Sequence, residues 1–215
     1  MFDLTRARTH SSPSCCQVLE DLYRDRNAMG FKKGQFIPME RETILVVYRG
    51  LVKLNMLYSS GDESILGLLH PSMPFGLPLS QLTSYEAVAL TDVLVMRVDQ
   101  VQIDRTPRLA QSLYPEMTRR LQQTEALLAI TGERRIENRL RALLQFLCQE
   151  MGQETPQGMR LNVRLTHQQI SEMIGTTRVS VTRMLKDFQK AGWLNVDSKR
   201  HLLINGSWDD RLSAA

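Results

Sequence analysis

The residues best suited to chemistry in this chain lie between positions 165 and 188. Thr166 is followed three residues later by Gln169, the spacing of a capping box, so a helix is expected to begin just after Thr166. Ile170, Met173 and Ile174 give that helix an apolar side. Gly175 supplies the left-handed position that ends it, and Thr176 or Thr177 caps a second helix. Two helices joined by a short turn containing glycine form a helix-turn-helix. On the second helix Val181, Leu185 and Phe188 recur at helical spacing and must face inward, which sends Arg178, Val179, Thr182 and Arg183 outward together. Arginine can hold guanine O6 and N7 through two hydrogen bonds, and a valine can lie against a thymine methyl. This edge is therefore expected to read bases in a major groove. Thr166, His167 and Thr177, beside the two helix starts, are placed to meet phosphate oxygens.

Past Ala191 and Gly192, the apolar runs 193–196 and 201–204 flank Asp197, Ser198, Lys199 and Arg200, the pattern of a β-hairpin wing. Lys199 and Arg200 at its tip are either phosphate contacts or solvated charges.

The charge balance points the same way. The 215 residues carry 27 Lys plus Arg against 23 Asp plus Glu, a net +4. Residues 1–115 hold 12 of each sign, so the whole excess sits in residues 116–215, with 15 basic and 11 acidic side chains. From Arg160 to Arg200 there are eight basic residues and three acids, a local +5 that suits a polyanion partner.

Other chemistries find no residues to support them. The histidines (His10, His70, His167, His201) fall in no metal-ligand spacing, and Cys15, Cys16 and Cys148 make neither a disulfide framework nor a CxxC clip, so no metal site is expected. No nucleophile, base and orienting group assemble, so an enzyme is not expected. No apolar run approaches the about 20 residues that cross a bilayer, and the start lacks a signal-peptide pattern, so the chain is expected in the cytoplasm with its thiols reduced.

The elements that must position the helix-turn-helix follow from hydrophobic period. Residues 1–30 read as a loose polar arm, Ser/Pro-rich at 11–14, with one short helix in which Val18, Leu19 and Leu22 face a core. From Phe31 to Val98, short β-branched runs alternate with turns such as Arg49-Gly50 and 59–62. One of these runs, residues 51–58, places Val52, Leu54, Met56 and Tyr58 on one face. The region is expected to form a small antiparallel roll. Beyond Gln100 the period becomes helical, and between 110 and 131 apolar or small residues recur at Leu113, Met117, Leu121, Thr124, Leu128 and Thr131. That stripe is a coiled-coil seam for a symmetric dimer, or the face by which one helix packs on its own roll. Gly132 interrupts it and makes 132–136 a hinge. A further helix over 136–151 carries Ile136, Leu140, Leu143, Leu144 and Leu147 on one face beside Cys148, then comes a polar loop over 152–158 and a short strand over 159–165. The fold class is α+β, with a roll and arm over 1–109, a dimerisation helix over 110–132 and a winged helix-turn-helix over 133–215.

With a roll, a long helix, a hinge and a winged helix-turn-helix containing I-G-T-T-R-V-S-V-T-R-M-L (174–185), the chain resembles the CRP/FNR superfamily of bacterial transcription regulators over nearly its whole length. The run L-Q-Q-T-E-A (121–126), Phe146-Leu147-Cys148 and Arg178-Val179 are most similar to the global nitrogen regulator branch of cyanobacteria. The resemblance implies that the roll is like a cyclic-nucleotide-binding jelly roll and that Met117, Leu121, Thr124 and Leu128 form a homodimer seam. It also implies that Arg178, Val179 and Arg183 occupy base-reading positions on a palindromic operator in double-stranded DNA, half-sites about one helical turn apart, and that RNA polymerase is a partner. Val179 stands where the catabolite activator has Glu, which by analogy points to a GTA…TAC type of half-site.

The resemblance also locates an effector pocket at Phe75, Gly76, Leu77 and Glu125. Cyclic-nucleotide members carry a Gly-Glu pair and an Arg-Ser or Arg-Thr pair; here Leu77 replaces the acid and residues 79–85 contain no arginine. Glu125 adds a negative charge. An uncompensated buried phosphate is costly, so cyclic AMP is not the expected ligand. The nitrogen-regulator loop arginine is missing too, which leaves an effector-independent regulator or an unidentified small ligand, with no cofactor. The rival to a DNA-binding regulator is a ligand-binding or protein-interaction module whose helix-turn-helix no longer reads DNA.

Overall fold

The computed structural model describes residues 15–23 and 28–205 of the chain, with side chains from 28 onward and over residues 15–21. The polar patch at 11–14 and the side chain of Leu22 lie outside the described residues. The described residues form two compact units, one ending at Gly132 and one beginning at Glu133.

The first unit contains α1 (Cys15–Tyr23), β1 (Ala28–Phe31), β2 (Thr43–Arg49), β3 (Val52–Leu57), β4 (Glu63–Leu69), β5 (Pro74–Phe75), a 3-10 turn at Leu77–Leu79, β6 (Tyr85–Ala89), β7 (Val93–Asp99), α2 (Gln100–Arg105) and α3 (Pro107–Gly132). Its strands make two antiparallel sheets, ordered β1-β7-β2-β5 and β4-β3-β6. Between them lies a core of Leu45, Val47, Val52, Leu54, Leu69, Phe75, Ala87, Ala89, Val93 and Val95. The outer face of the first sheet offers Val46, Met96 and Val98 to Cys15, Val18 and Leu19 of α1 and to Leu109 and Leu113 of α3. β2 is thus buried on both faces, which explains its unbroken apolar run Ile44-Leu45-Val46-Val47. At roughly 1.5–3 kcal/mol per fully buried aliphatic side chain, α1 is held chiefly by Val18 and Leu19.

Several expectations change here. β1 begins inside the stretch read as an arm, because Ala28 to Phe31 pair with Val93 to Met96 of β7. Tyr58 lies past the end of β3 and is 46% exposed, so it does not share the buried face of Val52 and Leu54. On the opposite face of β3, Lys53 and Asn55 are buried as well, and both reach Glu63 Oε2, at 3.2 and 3.0 Å. Leu113 belongs to the core under α1 rather than to the outward stripe of α3.

The second unit contains α4 (Ile136–Met151), β8 (Gly152–Thr155), β9 (Gly158–Leu161), α5 (His167–Ile174), α6 (Arg178–Lys190), β10 (Leu194–Val196) and β11 (Leu202–Ile204), with one antiparallel sheet ordered β10-β11-β9-β8. Leu140, Leu143, Leu144 and Leu147 are buried on α4, while Ile136 at its exposed start is not. The segment read as a polar loop supplies β8, which exists because it pairs with β9 from Gly152↔Leu161 to Thr155↔Gly158. Cys148 is buried, and burial pushes its thiol up to about 11; burial likewise pushes Cys15 up to about 12. Thiols held neutral in this way are poor nucleophiles. Among the described residues no group of three His, Cys, Asp or Glu side chains is gathered to hold a metal.

Candidate nucleic-acid interface

The two helices of the motif are set by their own caps. Thr166 Oγ1 accepts from the Gln169 backbone N–H (3.1 Å) and Gln169 Oε1 accepts from the Thr166 N–H (2.9 Å), closing the capping box. Gly175 takes φ 63° and ψ 54°, the left-handed geometry that ends α5, and the Thr176 N–H reaches back to the Ser171 carbonyl (3.0 Å). Thr177, rather than Thr176, caps α6 by accepting from the Ser180 N–H (3.2 Å). Arg139 adds a contact that helical periodicity does not reveal: its Nη1 donates to the Ile174 carbonyl (3.0 Å) and its Nε to the Glu133 carbonyl (2.6 Å). At the other end of α6, the Arg141 guanidinium lies 4.7 Å from the Phe188 ring and 4.5 Å from the Trp193 ring, anchoring α6 and β10 to α4.

With Val181, Leu185 and Phe188 buried, α6 presents Arg178, Val179, Thr182, Arg183 and Lys186 along one open concavity of about 430 Å³. Val179 is 78% exposed. Arg178, Arg183 and Lys186 are exposed, and none of their side chains has a hydrogen bond or ion pair among the described residues. Lys186 is the member that sequence reasoning missed, although it sits four residues past Thr182 and three past Arg183, the spacing that puts it on the same face. Thr182 differs from its neighbours: it is half-buried, its hydroxyl donates to the Arg178 carbonyl (2.8 Å), and His167 Nδ1 lies 2.7 Å away.

Thr166 and Thr177 are exposed at their helix starts. In the wing, Lys199 and Arg200 are exposed on a turn closed by Asp197, which accepts from the His201 N–H (2.7 Å) and faces its Nδ1 (3.1 Å). Those contacts hold the Asp197 carboxyl below the usual carboxylate range, the His201 backbone bond first.

The candidate effector pocket is a separate place, in the first unit. Phe75 is buried, Gly76 adopts φ 141° with the Thr43 carbonyl 2.9 Å from where a Cβ would sit, and Leu77 opens the 3-10 turn. Arg120, a flank residue of α3 that sequence reasoning did not place here, points into this region. Its guanidinium donates to Gln123 Oε1 (3.1 Å) and Thr124 Oγ1 (3.4 Å) and lies against the Tyr85 hydroxyl, which also meets the Gly76 backbone. Gln123 in turn donates to the Leu68 carbonyl (3.0 Å). Burial lowers the Arg120 pKa from its usual value, with Tyr85 opposing the shift. Residues 79–85 contain no arginine, as expected, but Arg120 lies against Tyr85 beside Gly76. Glu125 is not brought to Phe75 and Gly76 within the chain. Two residues on from buried Gln123, it falls on another side of α3 and is exposed. Along α3, Met117 (40%), Leu121 (59%) and Leu128 (72%) are exposed apolar residues, with Thr124 exposed between them.

Residues 138–205 match the model of the Crp-like helix-turn-helix domain. Over 190 residues the chain is 35% identical to the global nitrogen regulator of Synechococcus elongatus, covering 81% of this chain and 84% of that protein. It belongs to the CRP/FNR family of transcription regulators. It is also 33% identical to the global nitrogen regulator of a Synechocystis strain, over 84% of this chain and 83% of that one. The fold agrees: a CooA mutant from Carboxydothermus hydrogenoformans superposes with a TM-score of 0.75 at 21% identity, covering 92% of this chain and 94% of that one. Among the described residues no helix is long and apolar enough to cross a membrane.

Proposed function

We propose that this CRP/FNR regulator acts in the cytoplasm as a homodimer that reads a palindromic operator in double-stranded DNA through α6 and then contacts RNA polymerase. The observation that carries the reading is the face of α6. Three cations without partners among the described residues share one concavity with an exposed valine along a helix whose other side is packed. In this reading Arg178, Val179 and Arg183 address base edges, Lys186 joins them, and Thr166, His167, Thr177, Lys199 and Arg200 meet phosphate. Met117, Leu121, Thr124 and Leu128 form the dimer seam. A symmetric dimer then demands two half-sites about one helical turn apart. No catalytic role is assigned.

The reading does not make cyclic AMP the effector. The loop at Phe75 to Leu79 offers neither a carboxylate for a ribose nor an arginine for a phosphate, and the Arg120 guanidinium is already engaged by Gln123, Thr124 and Tyr85. The pocket is open to an unidentified small ligand or to none.

Selection of duplexes from a randomised pool by the full-length protein tests the main claim. A palindrome with the stated spacing is expected, and a pool that stays random would sink it, leaving a ligand-binding or protein-interaction module as the better account. Calorimetric titration of cyclic AMP into the protein tests the second claim: no heat is expected, and micromolar binding would overturn it.

A further inference from the structure

His167 sits on the proposed DNA face with its ring chemistry already committed on one side. Thr182 has a single hydroxyl proton, and that proton goes to the Arg178 carbonyl at 2.8 Å, because a carbonyl can only accept. The 2.7 Å contact between His167 Nδ1 and Thr182 Oγ1 must then be donated by the imidazole. A neutral imidazole carries one N–H. With that N–H on Nδ1, the other nitrogen, Nε2, is a bare acceptor, and it has no partner among the described residues. A DNA phosphate offers only acceptor oxygens, so the neutral ring in this tautomer meets it lone pair to lone pair.

We propose that docking of a DNA phosphate against His167 takes up one proton from solvent at Nε2 in each subunit, making DNA binding by this chain proton-linked. The proposal rests on the DNA-binding reading above and deepens it. The resulting imidazolium donates through Nδ1 to Thr182 and through Nε2 to the phosphate, so both contacts form at once. Among the described residues no anionic group faces the ring. Arg178 faces it from α6, with Arg183 further along the same helix. On α5 itself the nearest acid, Glu172, is engaged by Gln168 at 3.0 Å. From α4, the Arg139 guanidinium meets the Ile174 carbonyl at the far end of α5. No carboxylate pairs with His167 among the described residues. Partial burial, and secondarily the Arg178 charge, accordingly hold the free ring below the usual histidine value. A phosphate has the opposite effect on the bound ring. Affinity therefore rises as pH falls through the bound-state pKa and stops rising below the free-state pKa.

The test uses the full-length protein and a duplex that it selects from a randomised pool, titrated near neutral pH in buffers of different ionisation enthalpy. Uptake approaching about one proton per subunit is expected, with affinity weakening up to about tenfold per subunit for each unit of pH rise within that window. His167→Gln keeps a donor that does not titrate, so its uptake and pH profile should be flat while it still binds. Thr182→Val removes the acceptor that fixes the tautomer, freeing a neutral Nε2–H form, so its uptake should fall. His201→Gln, in the wing, should keep the wild-type uptake. Zero uptake by the wild type, or equal uptake by His167→Gln, overturns the proposal, as does full uptake by Thr182→Val. Failure to select any duplex overturns instead the DNA-binding reading beneath it.

Discussion

Arg178 on α6 and Arg120 on α3 carry the same guanidinium into opposite circumstances. Arg120 is drawn out of water and its donors are spent on Gln123, Thr124 and Tyr85, so its charge is accounted for inside the chain. Arg178, with Arg183 and Lys186, is exposed beside an exposed valine and has no partner among the described residues. A folded chain gains little by lining up three cations that repel one another and leaving them unpaired. Such an arrangement is informative about a partner, whereas a satisfied arginine is informative first about stability.

Four variants and the proton measurement above put that contrast to the test. The largest effect is expected from Leu121→Asp with Leu128→Asp. These side chains are exposed among the described residues, and each is expected to forfeit roughly 1.5–3 kcal/mol of burial in each subunit of a dimer. Sedimentation should show monomers; dimers that persist would show that the stripe has another use. Next comes Arg178→Ala with Arg183→Ala, expected to cost about 2–6 kcal/mol of affinity for the selected duplex, since each good two-pronged base contact is worth about 1–3 kcal/mol. The dimer should be unchanged. Undiminished affinity in a DNA titration would erase the distinction drawn between the two arginines.

Arg120→Met should behave in the reverse manner, lowering stability by about 1–3 kcal/mol because Gln123 and Tyr85 lose their partner, while DNA affinity of the unliganded dimer hardly moves. Thermal unfolding beside the same DNA titration reads both quantities. The smallest effect is assigned to Lys199→Ala at the wing tip, a modest weakening equal across sequences, with the salt dependence of binding reduced by about one ion. An unaltered salt slope would make Lys199 a merely solvated charge.

Much of the second unit was legible because its signals are local. Thr166 and Gln169 form their box, Gly175 takes its left-handed turn, and Val181, Leu185 and Phe188 fix which edge of α6 is free, all within one or two helical turns. What escaped depends on distant partners. β8 has the sequence Gly-Gln-Glu-Thr, with no apolar alternation, and is a strand only because β9 lies beside it. Lys53 and Asn55 read as an outer face, yet Glu63 from the next strand lets both be buried. Arg120 has no partner near it in sequence that marks its role, which comes from Tyr85 on β6. Arg139 and Arg141 likewise look like ordinary charges on α4, since neither the Ile174 carbonyl nor the edge-to-face rings of Phe188 and Trp193 are near them in sequence.

Burial of β2 on both faces has a cost in pairing fidelity. A strand with one wet face cannot slip by a residue without turning its apolar set toward water, but Ile44-Leu45-Val46-Val47 would look much the same to its surroundings after such a slip. Its alignment with β7 must be pinned from the ends. Thr43 Oγ1 meets Asp99 Oδ1 at 3.3 Å at one end. At the other, the pairing shifts between Val47 and Arg49 just before Gly50, where the Asp92 carbonyl comes within 2.4 Å of where a Cβ would be. The glycine there, more than any of the four aliphatic residues, keeps the strand from sliding.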